Sequence, residues 1–158
     1  MSWENHRVKE TIMQIITIIY RLAVAFWVGG VAIFTFVLTP ILFKTQARDL
    51  AGTIVGVLFP GYFRWGLACG SVALVTLALT RGKNFAVALT LLVVMLAATA
   101  FQAFSIEPRA AALKREIPSF ETTPKDHPLR REFSKLHGIS AVCNLVVFGG
   151  GVVLVILL

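Results

Sequence analysis

Acidic side chains are scarce in this chain, with eight Asp and Glu against fifteen Lys and Arg in 158 residues. Charge of either sign is scarce as well, at 15% of residues. A soluble domain carries about a quarter. None of the acidic residues (Glu4, Glu10, Asp49, Glu107, Glu116, Glu121, Asp126 and Glu132) lies deep in an apolar stretch, which leaves no paired-carboxylate chemistry to assign. Cysteine occurs twice, at Cys69 and Cys143, both within apolar sequence, so there is no disulfide framework to read. The three histidines, His6, His127 and His137, form no His-x-x-x-His spacing, and no Cys-x-x-Cys pair exists. Nucleophile elbows and phosphate loops are absent too. The net charge of +7 is not arranged as a basic stripe interleaved with aromatics, so nucleic acid is not an expected partner.

What the chain has in abundance is uncharged length. Leu22–Phe43, Asn84–Ile106 and Gly138–Leu158 contain no Asp, Glu, Lys or Arg over 22, 23 and 21 residues. A helix crosses about 30 Å of hydrocarbon in about 20 residues. A fourth stretch, Leu50–Thr80, is interrupted only by Arg64, whose stem can snorkel to an interface. The pattern predicts an all-α fold: a single integral-membrane four-helix bundle over 1–158, with spans near 18–40, 60–80, 85–106 and 138–158 and a polar loop at 107–137. Ala51–Pro60 reads as an interfacial or re-entrant piece before the second span, and Pro40 as the stop of the first. The N-terminus has basic residues and an apolar stretch like a signal peptide. Arg21, standing where a cleavage region is neutral, argues for a retained helix.

Within the polar loop, Ala110–Glu116 is strongly helix-forming, with a kink expected at Pro108 and an end at Ile117-Pro118. Pro128 suits a first helical turn that feeds the last span. The third and fourth helices are therefore expected to extend beyond the bilayer side by side. Arg81-Gly82-Lys83 forms a tight turn on the opposite side. Ten Lys and Arg accompany the two longer loops and five accompany the termini and the turn. That asymmetry places loops 41–59 and 107–137 in the cytoplasm and the termini outside, with the plasma (inner) membrane as the expected location. Lipid is the expected partner. Glycines spaced by four (Gly52 and Gly56, Gly66 and Gly70) suit packing within the bundle or a homo-oligomer, and the projecting helices offer a surface for a protein partner.

Candidate site residues cluster at the loop side. At 100° per residue, His137, Ser140 and Asn144 share one helix face. They read either as a polar site or as interhelical hydrogen bonding. His137 is the one histidine near the membrane and a weak candidate metal ligand, no spacing asks for a soft-metal site of a cysteine with Met95, and no cofactor is predicted. Glu107 and Arg109 mark the exit of the third span, with Gln102 one turn inside. Glu107 suits an ion pair with an interfacial arginine such as Arg64, or else a proton or substrate relay. Tyr62 follows the Pro60-Gly61 break and belongs with interfacial aromatics.

The segments Leu58-Phe59-Pro60-x-Tyr62-Phe63, Glu107-Pro108-Arg109 and Phe133-x-x-x-His137-Gly138-x-Ser140-x-x-Cys143-Asn144-Leu145 together resemble the DUF4149 family. That family includes the vertebrate transmembrane protein 205 and is distantly similar to copper-resistance membrane proteins of the CopD type. The resemblance covers the chain from about Gly30 onward. It implies a four-helix integral membrane protein whose biochemical activity is not established. A link of the vertebrate member to platinum-drug resistance implies export or metal handling. This chain departs from a copper site in having no histidine or methionine cluster in its spans, and its polar segment is shorter than that of the vertebrate protein. Three functional expectations follow: a transport, export or metal-resistance component, a non-catalytic membrane scaffold, and a haem-dependent membrane oxidoreductase resting on His137 alone.

Overall fold

A computed structural model of the chain describes residues 2–82 and 84–157, with side chains from His6 onward. Lys83 of the expected turn and the terminal Leu158 lie outside the described residues. Among those residues there is no strand, and four helical rods are each long and apolar enough to cross a membrane. The first rod is α1 (Ser2–Ala32), a π-helical segment (Ile33–Leu38) and α2 (Thr39–Thr45). The second is α3 (Arg48–Thr80). The third is α4 (Phe85–Phe101), a second π segment (Gln102–Ile106) and α5 (Glu107–Glu116). The fourth is α6 (Pro128–Ile156). The rods pack in a ring, α1 on α3, α3 on α4, α4 on α6 and α6 back on α1.

The core is where the glycines act. Gly66 and Gly70 of α3 receive the Trp27 indole, and a Cβ at Gly70 would meet Trp27 ring carbons at about 2.6 Å. Gly151 of α6 likewise leaves room for Val28. Trp27, Val24, Leu92, Met95, Val147 and Leu154 are almost wholly buried around these contacts. Without a hydrophobic force between helices in lipid, such close approach is what holds a bundle. Gly52 and Gly56 serve differently, because the Lys114 side chain lies over them.

Two rods differ from the sequence expectation at prolines. The first does not stop at Pro40 but runs on to Thr45. The third does not simply kink at Pro108. In each case a π segment ends just ahead of the proline, and Thr39 N donates to Phe34 O and Glu107 N to Gln102 O, five residues back. Proline removes a donor and pushes its ring toward the carbonyl four residues earlier. The widened turn relieves that clash while the helix continues. Ala51–Pro60 is not re-entrant: it forms the first turns of α3, which carries Pro60 in its interior.

Depth follows from helical rise. Tyr62 stands 18 residues before Thr80 and Gln102 17 after Phe85, each about 26 Å along its helix at 1.5 Å per residue. A hydrocarbon layer of about 30 Å measured from the 81–84 turn therefore ends just past these residues. The start of α3, α5 and the start of α6 project beyond it as a head.

Candidate functional site

The inner edge of that boundary carries a belt of neutral polar side chains drawn from all four rods. Tyr62 Oη donates to Asn144 Oδ1 at 3.1 Å, joining α3 to α6. Ser140 Oγ donates to Gln102 Oε1 at 2.8 Å, joining α6 to the second π segment. Gln102 is only 1% exposed, the most buried polar side chain among the described residues. The first π segment contributes Thr35. Thr11, Thr17, Thr53, Thr76, Thr90 and Thr99 each return their hydroxyl to the carbonyl four residues back. Thr35 does not, since in a π turn that carbonyl is displaced. Its Oγ1 is buried without a hydrogen-bond partner. The Tyr62 phenol is its polar neighbour, but the geometry falls short of a bond.

Between Tyr62, Gln102 and Asn144 of the belt lies a cavity with about 10 Å³ for the centre of a water-sized sphere, lined also by Trp27, Val31, Trp65, Gly66 and Thr99. That is about the minimum that holds one water. Aromatic rings gather around Tyr62. Phe34 stacks on Tyr62 at 4.4 Å, Phe59 stacks on Phe63 at 5.4 Å, and Phe34 reaches Phe59 at 5.5 Å. A larger hollow of about 570 Å³ lies open along α6 between Asp126 and Ile139 and contains none of the expected site residues.

The expected residues separate accordingly. Tyr62, Gln102, Ser140 and Asn144 come together in the belt. His137 shares a helix with two of them but is exposed, its ring parallel to Phe133 at 6.5 Å. Arg64 is exposed and donates from Nε to Pro60 O at 3.1 Å. Arg109 is exposed and Glu107 half-buried, and among the described residues Glu107 makes no ion pair. No three of His, Cys, Asp and Glu gather among the described residues in a way that could hold a metal ion. Thr35 is the belt residue that sequence reading missed. Its signal was Pro40, which calls for a relieved turn just upstream.

A second constellation, in the head, was also not foreseen. Asp49, in the first turn of α3, accepts from Ser119 Oγ at 2.6 Å and from Phe120 N at 2.7 Å. Glu121 Oε1 accepts from Arg48 N at 3.2 Å, so a residue 73 positions away caps a helix start that has no side-chain cap of its own. Arg130 donates to Thr123 O and lies over the Phe120 ring, which meets Phe133 edge-on at 4.8 Å. The Ser119 and Phe120 hydrogen bonds hold the Asp49 carboxyl below its ordinary range, helped by Lys114 and Arg130. Lys114 donates to Thr53 Oγ1 at 3.2 Å, and partial burial lowers its ammonium against the opposing pull of Asp49. The loop between α5 and α6 is thus clasped onto the start of α3.

Four apolar rods around a small neutral belt define a multi-pass helical membrane protein. The family described as "Domain of unknown function (DUF4149)" matches residues 22–119, and the chain belongs to that family. It is 31% identical over 123 residues to an uncharacterized protein of Aquifex aeolicus (strain VF5), covering 78% of this chain and 81% of the relative. No solved structure matches.

Proposed function

We propose that this membrane protein is a solute-handling component of the transport or export kind, with the belt of Thr35, Tyr62, Gln102, Ser140 and Asn144 as the place that holds its cargo. The observation that carries this reading is the Thr35 hydroxyl, buried and unpaired next to Tyr62, which lines the cavity. An unmet buried hydrogen-bonding group costs about 1–3 kcal/mol, so a bound hydroxyl or amide that meets it is favoured. The belt carries no charge, which suits a small neutral hydrogen-bonding solute better than a metal cation. The two π segments, each beside a proline, supply turns where the closed cavity can widen. The Lys and Arg asymmetry supports a cytoplasmic head and external termini in the plasma (inner) membrane.

The test is Thr35→Val. Removing an unpaired hydroxyl should leave the detergent-solubilised protein as stable as before or slightly more so. It should also abolish any rise in unfolding temperature given by small amides and polyols such as acetamide or glycerol. If the wild type shows no such rise, and vesicles containing it release these solutes no faster than empty ones, the reading is wrong. A scaffold role is the second reading. It is favoured by the clasp, which presents a preformed head to a protein partner, and a stoichiometric partner retained on purification and lost with the clasp would support it. The haem reading rests on His137 alone, and an exposed imidazole beside Phe133 lends it no second ligand.

A further inference from the structure

The open hollow of about 570 Å³ along α6 is graded from one end to the other. Leu136 and Ile139 line its inner end and Lys135 its middle, Arg131 and Glu132 come a turn farther out, and Asp126 stands at the rim. At 1.5 Å per residue, Lys135 lies about 6 Å above Ile139, and Glu132 about 4.5 Å above Lys135. Ile139 adjoins Ser140, the belt residue bonded to Gln102, so it lies level with the edge of the hydrocarbon layer. Headgroups add about 5–8 Å on each face of a bilayer. That sets Lys135 among them and brings Glu132 and Arg131 within side-chain reach. Below the hollow the same helix face is apolar: Ile139, Val142, Val146 and Val153 fall in line and are 42–61% exposed. Among the described residues, none of the four charged side chains of the hollow makes an ion pair or a side-chain hydrogen bond. Lys114 and Arg130, by contrast, are engaged in the clasp.

We infer that this hollow binds a phospholipid with a primary-amine headgroup, of the phosphatidylethanolamine class. From the bilayer outward such a lipid presents acyl chain, phosphate and ammonium. In the same order the hollow presents Ile139 with the valines below it, then Lys135 and Arg131, then Glu132 with Asp126 at the rim. Arg131 and Lys135 are like charges one turn apart on one face, an arrangement that a phosphate between them relieves. The Glu132 carboxylate accepts from the ammonium one two-carbon link farther out. Two cations and two carboxylates make the hollow neutral overall, as the headgroup is. An anionic headgroup would set its extra charge against the carboxylates, and a choline headgroup has no N–H to give them. The inference rests on the position of α6 in the membrane and not on what the belt holds.

The experiment is native mass spectrometry of the full chain in mild detergent, mixed with equal amounts of phosphatidylethanolamine, phosphatidylcholine and phosphatidylglycerol of matched acyl chains. The wild type should retain phosphatidylethanolamine about tenfold over either competitor, the discrimination that one charge-assisted hydrogen bond supplies. Glu132→Gln should still hold phospholipid but turn its preference to phosphatidylglycerol, because the cations remain. The double variant R131Q/K135Q should retain all three about tenfold less. These side chains are exposed, so both variants should keep the wild-type unfolding temperature in detergent. Glycerophosphoethanolamine, which carries the headgroup without chains, should not displace the lipid at equal concentration. Displacement by it overturns a lipid site in favour of a soluble phosphate ester. Equal retention of the three lipids by the wild type, or a preference that both variants leave intact, overturns the site. A wild-type preference for phosphatidylglycerol overturns it too, and leaves two cations that attract any anionic surface.

Discussion

The belt and the clasp both tie α3 to the α5–α6 side of the molecule, yet they are built from opposite chemistry. The belt uses only neutral groups in single hydrogen bonds, Tyr62 to Asn144 and Ser140 to Gln102. The clasp uses Asp49, Glu121, Lys114 and Arg130, with short bonds to a carboxylate and a cation over a ring. The belt lies about 26 Å along the helices from the 81–84 turn and the clasp farther out, so a hydrocarbon layer of about 30 Å that begins at that turn would hold the first and not the second. Inside it, burying a charge costs more than any partner here returns. Outside it, neutral bonds compete with water, and charge-assisted bonds hold better. The same chain thus changes its cement within a few turns of helix, and the strength of that contrast can be tested by breaking each part.

The largest effect is expected at the floor of the belt. Trp27→Ala empties the space that Gly66 and Gly70 create, and loss of a buried tryptophan costs about 3–5 kcal/mol. Unfolding in detergent should shift accordingly, and Cys69, buried in the same core, should become reactive toward thiol reagents. An unreactive Cys69 would mean that the helices close over the gap.

Gln102→Leu comes next. It removes the acceptor for Ser140 at the most buried polar position, with a cost of about 1–2 kcal/mol. Ser140→Ala, which removes only the donor, should cost less. If the two variants were equal, Gln102 would serve through packing rather than hydrogen bonding. Tyr62→Phe should be milder still, near 0.6 kcal/mol, the mean for a membrane hydrogen bond, because the ring keeps its stack on Phe34. A loss several times larger would mean that the phenol also orders Thr35.

Much of this architecture was legible in the sequence, because length without charge is hard to satisfy in any other way. The four rods and their projection follow from Leu22–Phe43, Asn84–Ile106 and the helix-forming Ala110–Glu116. Gln102, Ser140 and Asn144 were legible as polar exceptions in apolar runs. Thr35 was not, since threonine in a helix ordinarily bonds its own backbone, and only the π turn ahead of Pro40 withdraws that option. His137 misleads for a related reason. Periodicity puts it on the line of Ser140 and Asn144, but its ring is exposed and lies beside Phe133 of its own helix rather than inside the bundle. The clasp was illegible because it joins Asp49 to residues some seventy positions away. Its only local sign was a helix start with no capping side chain at Ala47.

Asp49→Asn should have the smallest effect on the bundle and the sharpest local one. The carboxylate's two bonds disappear or weaken, so the 117–127 loop should lose hydrogen-exchange protection and become open to protease while the four rods keep their melting behaviour. Acid should do the same to the wild type. The Asp49 carboxyl sits below its ordinary value when folded, so its contribution is fully present above about pH 3.9 and fades as pH falls through that value toward the lower folded one. Asp126→Asn is the control, an exposed aspartate with no bond in the clasp. Loop protection that fell equally in both variants would mean that the head is held by its net charge. Protection lost only with Asp49 would mean that the juxtamembrane cement is one directed carboxylate, set just outside a bundle that uses none.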